Sequence, residues 1–440
     1  MKPTNLVVAA VILAALSGAL WWAKRHPEST PAASTTPPSP KLASIPEKQI
    51  REIDITKRGS PTVTLARQNG KWAITQPEQF SADQDAAGGV VTSFDPLNAD
   101  SVVENNPRDP GMFGLKSPSL TVDLKQANGK SQEILFGDDV PAGSLVYAEV
   151  QGSPKVYAVS SYTKTSLDKT LNDLRDKRLL TFDTNRLTRI ELVSSKSDIE
   201  FGKNNNNEWQ ILKPQPYRAE NFQVDELVRK LGDAKMDLSG AADQAAKADA
   251  AFKAGQPVAT AKATDAGGTQ TLEVRKNKDD YYAKSSAVPG DYKIASDLGK
   301  ELEKPVDDFR NKKIFDFGFS DPTKIEIQQG ATDETYVRAG SDWKLNGQTM
   351  SAGSVQAMID KLRDLSSTKF VDTGFTSPAL SVSITYNDGK RTERAEFAKA
   401  GDVYVARREN EPALYQLDGK PVNDILEANK AVKPAATHKK

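Results

Sequence analysis

From about residue 50 onward the chain is dominated by short runs in which apolar and polar residues alternate, the period of a half-buried strand. Ile53 and Ile55 open the first run, and Val63 and Leu65 repeat it. Asn69-Gly70, a strong hairpin signal, then leads into Lys71-Trp72-Ala73-Ile74. The same order returns twice. Ile190 and Leu192 stand 137 positions after Ile53 and Ile55, Trp209 stands 137 after Trp72, and Trp343 stands 134 after Trp209. A near-constant period with matching surroundings predicts one supersecondary unit used three times.

Helical spacing falls between these runs. Ser81-Ala82-Asp83-Gln84-Asp85 reads as a helix start with early acids, followed by Val90, Val91 and Phe94. Val224, Leu227, Val228 and Leu231 lie at i, i+3, i+4 and i+7, and Val355, Met358, Ile359 and Leu362 repeat the stripe. Phe113-Gly114-Leu115 and Ser117-Pro118 re-enter a sheet at Leu120, Val122 and Leu124, and Asn128-Gly129 turns the chain to Ile134 and Phe136. Val146-Tyr147-Ala148 pairs with Val156-Tyr157-Ala158-Val159, and Tyr282, Tyr292, Tyr404 and Tyr415 recur in the later copies. A helix from about Ser161 closes the unit at Asp173-Leu174-Arg175-Asp176-Lys177-Arg178, which corresponds to Asp308-Phe309-Arg310-Asn311-Lys312-Lys313. The Ala-rich insertion Ser239–Ala251 predicts a surface helix, and Val422–Leu426 a short closing one. The expected fold class is α+β: three tandem, mostly antiparallel sheet-plus-helix repeats, at 47–181, 182–316 and 317–430. Residues 431–440 are expected to be a disordered tail.

The N-terminal end adds a membrane expectation. Leu6 to Ala23 is an 18-residue run without charge. At about 1.5 Å per residue it reaches roughly 27 Å, enough to span a bilayer core. Trp21 and Trp22 suit the headgroup region, with Lys24 and Arg25 in water. The competing reading is a cleaved signal peptide with Ser17-Gly18-Ala19 at its cleavage site. The stretch 27–46, rich in Pro, Ser, Thr and Ala, is expected to be an extended spacer. An anchor at 1–26, a stalk and a Cys-free body predict a single-pass bacterial inner-membrane protein whose C-terminal body is periplasmic.

Composition narrows the chemistry. Lys+Arg and Asp+Glu are equal at 59 each, so no global field favours nucleic acid. There is no Cys, and the two His, His26 and His438, lie outside the repeats, which leaves no thiolate site and no imidazole in the body. No catalytic residue, metal ligand or cofactor site is singled out. Asp138-Asp139 and Asp279-Asp280 are hairpin-tip acids that could pair or hold a cation. The best surface candidates are the basic clusters Arg175, Lys177 and Arg178, with Arg310, Lys312 and Lys313. They suit an acidic partner, polymer or lipid headgroup. The plainer reading is that they offset a helix dipole, at roughly 0.3–1 kcal/mol each.

Phe113-Gly114-Leu115, Ser117-Pro118, Ile134-Leu135-Phe136-Gly137, Val146-Tyr147-Ala148, Val156-Tyr157-Ala158-Val159 and Asp173-Leu174-Arg175-Asp176-Lys177 together resemble the bacterial "domain of unknown function 4340" family. The match is best over Ile53–Leu180, with weaker copies beyond; the second copy has Phe252-Lys253-Ala254 in place of Phe-Gly-Leu. The resemblance implies an envelope accessory protein associated with ABC-type transporters of the gliding-motility type, and it brings no catalytic residues. The function expected is therefore a non-enzymatic, membrane-anchored scaffold whose partners are subunits of an inner-membrane complex. The rival is an envelope hydrolase or glycan-binding protein, which needs two carboxylates roughly 5–10 Å apart in one cleft. A plain ligand-binding module would instead show one large apolar pocket.

Overall fold

The computed structural model describes residues 39–239 and 244–436. The expected anchor at 1–26 and the spacer up to residue 38 lie outside the described residues. Among the described residues no helix is long and apolar enough to cross a membrane. The chain divides into two compact units, Met1–Asp176 and Lys177–Lys440.

The first unit holds a nine-stranded antiparallel sheet, and the second holds an eight-stranded and a nine-stranded one; we call them the first, second and third modules. Each sheet is built outward from a central antiparallel pair: Ile50–Lys57 with Leu120–Gln126, Arg189–Ser194 with Gln256–Asp265, and Lys324–Gln329 with Leu380–Tyr386. On either side of that pair the chain runs as a meander of hairpins, so nearly every link is short and every ladder antiparallel. Alternation places Ile53, Ile55, Leu120, Val122 and Leu124 on a wholly buried face, and their counterparts line the other two cores.

The helices are few and short. The first module has α1 (Gln84–Thr92), α2 (Ser161–Leu167) and α3 (Leu171–Leu174). The second has α4 (Asn221–Gly232), α5 (Gln244–Ala254) and α6 (Ser296–Leu302). The third has α7 (Ala352–Asp364) and α8 (Gly419–Lys430). This corrects the α+β expectation: the repeats are mostly antiparallel sheet, with the core helices on one face of each, while α5 lies outside the second core with Phe252 against Arg275. The strand period was carried by many short hairpin arms, whereas each amphipathic stripe is only two to three turns long and contributes little of the chain. The last closing helix is also longer than Val422–Leu426, because Gly419 to Lys430 stays helical.

The three Trp occupy equivalent places. Trp72, Trp209 and Trp343 are each 5% exposed, and each faces a cation across the strand pair: Arg67, Lys203 and Arg338. In two modules the next helix clamps the Trp backbone from 12 positions on. Gln84 Oε1 accepts from Trp72 N at 2.9 Å while Gln84 Nε2 donates to Trp72 O at 2.9 Å, and Asn221 Oδ1 accepts from Trp209 N at 2.8 Å. The Phe113-Gly114-Leu115 motif also has a physical cause. Gly114 is left-handed at φ 72°, and the turn it ends presses the Phe113 carbonyl onto Gly137, where any Cβ would overlap it.

Candidate functional site

The basic clusters sit in straps that leave one set of strands and enter the next. In the first unit, Asp83 N donates to Leu174 O (2.8 Å) and Asp176 N to Ser81 O (2.9 Å), with Arg175 bridging Ala82 between them. The second unit repeats this as Glu220 N to Phe309 O (2.8 Å), Asn311 N to Arg218 O (2.9 Å) and Arg310 bridging Ala219. The chain then crosses to the third module. Ser367 N donates to Lys312 O at 2.8 Å, and Ile314 N donates to Leu365 O at 2.9 Å. Lys177–Leu179 lies likewise on Ala234–Met236, with Met236 N to Lys177 O and Leu179 N to Ala234 O both at 2.8 Å. The apolar residue after each basic pair, Leu179 or Ile314, is fully buried and plugs the core beside it.

The first module receives a strap of the same kind. Ala99 N donates to Pro40 O at 2.7 Å, Lys41 pairs with Asn98, and Leu42, Ala43 and Ile45 are buried. The spacer expected to run to residue 46 therefore gives way to ordered chain by Pro40. At the other end Ser351 N donates to Lys433 O (2.8 Å) and Ala435 N to Thr349 O (3.0 Å). The expected disordered tail thus begins with a third outgoing strap, because Thr349–Ser351 offers the same free sheet edge that Ser81–Asp83 and Arg218–Glu220 offer.

The six expected surface cations differ in their surroundings. Arg178 and Lys312 are exposed, while Arg175, Lys177 and Lys313 are half-buried. Arg175 lies 4.0 Å from the centre of the Phe80 ring. Arg310 is 9% exposed and packed inward, 3.9 Å from the Tyr217 ring centre and 3.4 Å from that of Phe370, with Asp307 at 2.9 Å. Two rings cannot share one face of a guanidinium at those distances, so Tyr217 of the second module and Phe370 of the third hold Arg310 between them.

Beside this stack lies a half-buried ionic network that joins the same two modules. Arg218 Nε is 3.0 Å from Glu411 Oε1, and Arg218 Nη2 donates to the Lys313 carbonyl and to the Tyr415 hydroxyl. Tyr415 donates to Glu411 Oε2 at 2.7 Å, and Arg408 Nε to Glu411 Oε1 at 2.8 Å. Arg408 also donates to the Ile314 carbonyl. Burial alone would push the Glu411 carboxyl up, but Arg218, Arg408 and the Tyr415 hydroxyl hold it below the usual range. Burial opposes the Arg218 charge, and Tyr415, Glu411 and Asp316 more than offset it. Burial raises Tyr415. Chemically the arrangement is a tie between the modules: Arg218 of the second reaches Glu411 and Tyr415 of the third, and Arg408 supports Glu411 from within the third.

Tyr217, Arg218, Phe370 and Glu411 were not singled out from sequence. The repeat itself held a signal for the first of them, since Phe80 and Tyr217 stand 137 positions apart and each stacks on the strap arginine of its own module. Of the hairpin acids, Asp280 is paired with Lys293 at 2.9 Å. One acid pair does meet. Burial raises Asp291, and its hydrogen bond with Asp249 raises it further, while Lys253 lowers Asp249. Among the described residues no group of His, Cys, Asp and Glu is arranged to hold a metal ion.

A family model described as "Domain of unknown function (DUF4340)" matches residues 72–210 and 209–381. No curated protein matches the chain. Among solved structures, a DNA polymerase sliding clamp from Pseudomonas aeruginosa aligns at 7% identity and TM-score 0.16, over 86% of this chain and 93% of that one. The DNA polymerase III subunit beta from the same organism aligns at 6% identity and TM-score 0.16, over 85% and 92%. A TM-score of 0.16 carries no argument about fold or partners.

Proposed function

The chain belongs to the family described as "Domain of unknown function (DUF4340)", and from that premise we propose that it is a non-enzymatic scaffold of the bacterial envelope. In this reading residues 1–26 anchor it in the inner membrane, the body lies in the periplasm, and its partners are subunits of a membrane complex of the ABC-transporter type. The observation that carries the reading is the joint at Arg310. At this joint charged and aromatic side chains are spent on stacking and pairing that make two sheets into one body. A scaffold needs that rigidity, because a surface that binds several subunits at fixed spacing loses affinity when its halves move independently. The uncharged run at Leu6–Ala23 and the spacer after it support the anchoring.

Crosslinking in intact bacterial membranes, followed by identification of what co-purifies with the full chain, tests the proposal. Recovery of integral-membrane subunits at constant ratio is the expected result. Recovery of soluble glycans or peptides alone, without a membrane subunit, would overturn it.

A further inference from the structure

The second module closes the gap between its two core-facing helices with long polar side chains. Lys230 on α4 pairs with Asp297 on α6, and Lys304 Nζ donates to Gln223 Oε1 at 3.2 Å. The first module sets the same helices in the same register. α1 starts 137 positions before α4, and α2 matches α6 at both ends with an offset of 135. Ala86, Gly89 and Ser93 therefore stand where Gln223, Glu226 and Lys230 stand, and Tyr162 stands where Asp297 does. The first three replacements, two on α1 and one at its C-cap Ser93, each shorten the side chain, and the fourth exchanges an ion-pair partner for an aromatic ring. The gap between α1 and α2 is left open as a groove of about 760 Å³, a volume in the range of small-molecule sites. A Cβ built on Gly89 would meet nothing within 4 Å, and Tyr162 on the rim is 81% exposed.

The lining defines what would fit. Asp85, Ser93, Asn98, Thr163 and Ser166 present a carboxylate, an amide and three hydroxyls; Ser93 and Ser166 already donate to the Gly89 and Thr163 carbonyls and offer acceptors, while Asn98 both donates and accepts. Asp85 and Lys169 offset each other in charge, and Asp173, its Oδ2 taken by the backbone N–H and hydroxyl of Thr170, leaves the lining weakly negative, which disfavours an anionic ligand. A ligand matched to this groove is neutral, rich in hydroxyls, and carries a flat C–H face that the Tyr162 ring can cover. Sugar rings combine these properties. We propose that the groove between α1 and α2 is a saccharide-binding site for a short neutral oligosaccharide, with Tyr162 as its stacking platform. The inference stands on the first module alone and does not depend on the scaffold reading.

Saturation-transfer difference NMR on the full-length protein, with maltotriose, cellotriose and chitotriose as probes, tests it. At least one probe should give a saturable signal strongest on its ring C–H protons. Tyr162→Ala should weaken that binding at least tenfold without shifting Tm, because the ring packs on little of the protein. Ser93→Lys combined with Tyr162→Asp rebuilds the ion pair of the second module; it should abolish binding while Tm holds or rises. No saturable signal from any of the three probes, or a signal that survives both variants, overturns the proposal.

Discussion

The Arg310 guanidinium lies 3.4 Å from the centre of the Phe370 ring, a contact between the strap that leaves the second module and the edge strand Lys369–Val371 of the third. With Tyr217 on its other face and Asp307 at 2.9 Å, the cation is desolvated but not unpaired. Cation–π contacts of this kind are worth about 2 kcal/mol or more when water is excluded. Arg310→Ala is expected to destabilise the second unit by about 2–4 kcal/mol, counting the lost stem packing. Arg310→Lys should recover less than half of that, since an ammonium cannot lie flat between two rings. Chemical denaturation checks both. The second and third modules should unfold in one transition in the wild type and in two in Arg310→Ala.

The same joint sets an acid limit. The Glu411 carboxyl, pushed up by burial but held below its ordinary value of 4.5 by Arg218, Arg408 and Tyr415, binds its proton more weakly when folded than when unfolded. A depressed folded pKa contributes stability that is complete above 4.5 and is lost as pH falls through the folded value. Tm measured from pH 7 to pH 3 should therefore drop steeply at the acid end for the wild type. Glu411→Gln should be less stable at pH 7, because two arginines lose their counter-charge, and should show a flatter acid limb. An unchanged acid limb in Glu411→Gln would mean that Glu411 contributes nothing to the pH dependence.

The repeat was legible because its markers are local. Trp72, Trp209 and Trp343 need only a hairpin and a cross-strand neighbour, and alternation fixed which face they bury. What sequence missed was long-range. Arg310 reads as one more cation at a helix end, since nothing near it announces Phe370 sixty positions later. Pro40–Ile45 reads as spacer because its composition continues that of residues 27–39, yet three small or aliphatic residues suffice once a sheet edge is waiting for them. The fold class failed for a related reason: a clean apolar stripe signals a helix without saying how little of the unit that helix will be. The groove beside Ser93 left a trace, the run Ala86-Ala87-Gly88-Gly89, but small residues in a helix take on meaning only beside the longer ones at the matching positions of another copy.

The strap at residue 40 gives a direct check on that contrast. Leu42 is 3% exposed and belongs to the first core. Leu42→Ala is expected to cost about 2–4 kcal/mol, the range for emptying a buried leucine site. Gly137→Ala in the same unit should cost about 1–3 kcal/mol, because the new methyl must displace the Phe113 carbonyl rather than a flexible side chain. Gly129→Ala is the control for added bulk, since a Cβ there meets nothing within 4 Å although its φ of 80° still carries some strain. Thermal unfolding of the three variants should rank Gly129→Ala as the mildest. A Leu42→Ala protein as stable as the wild type would show that the strap is not part of the core.

The acid pair of the second module yields a change in the opposite direction. Asp291 begins the strand Asp291–Ile294, is 7% exposed, and has one oxygen, Oδ1, with no hydrogen-bond partner. Burial raises its pKa first, and the hydrogen bond with Asp249 adds to this because the two carboxyls can share only one proton. A raised folded pKa means that the folded state favours the protonated acid, so stability is complete below the ordinary value and is lost as pH rises through the folded one. At neutral pH the ionised Asp291 is therefore a burden. Asp291→Asn keeps the shape, supplies a permanent donor to Asp249 and removes the buried charge. It should raise stability at pH 7 by about 1 kcal/mol, with the gain shrinking toward pH 3 as the wild-type acid takes up its proton. Tm measured across that range for both proteins decides the matter: a loss of stability at pH 7 would show that the charge of Asp291 is matched by Lys253 and Lys284 after all.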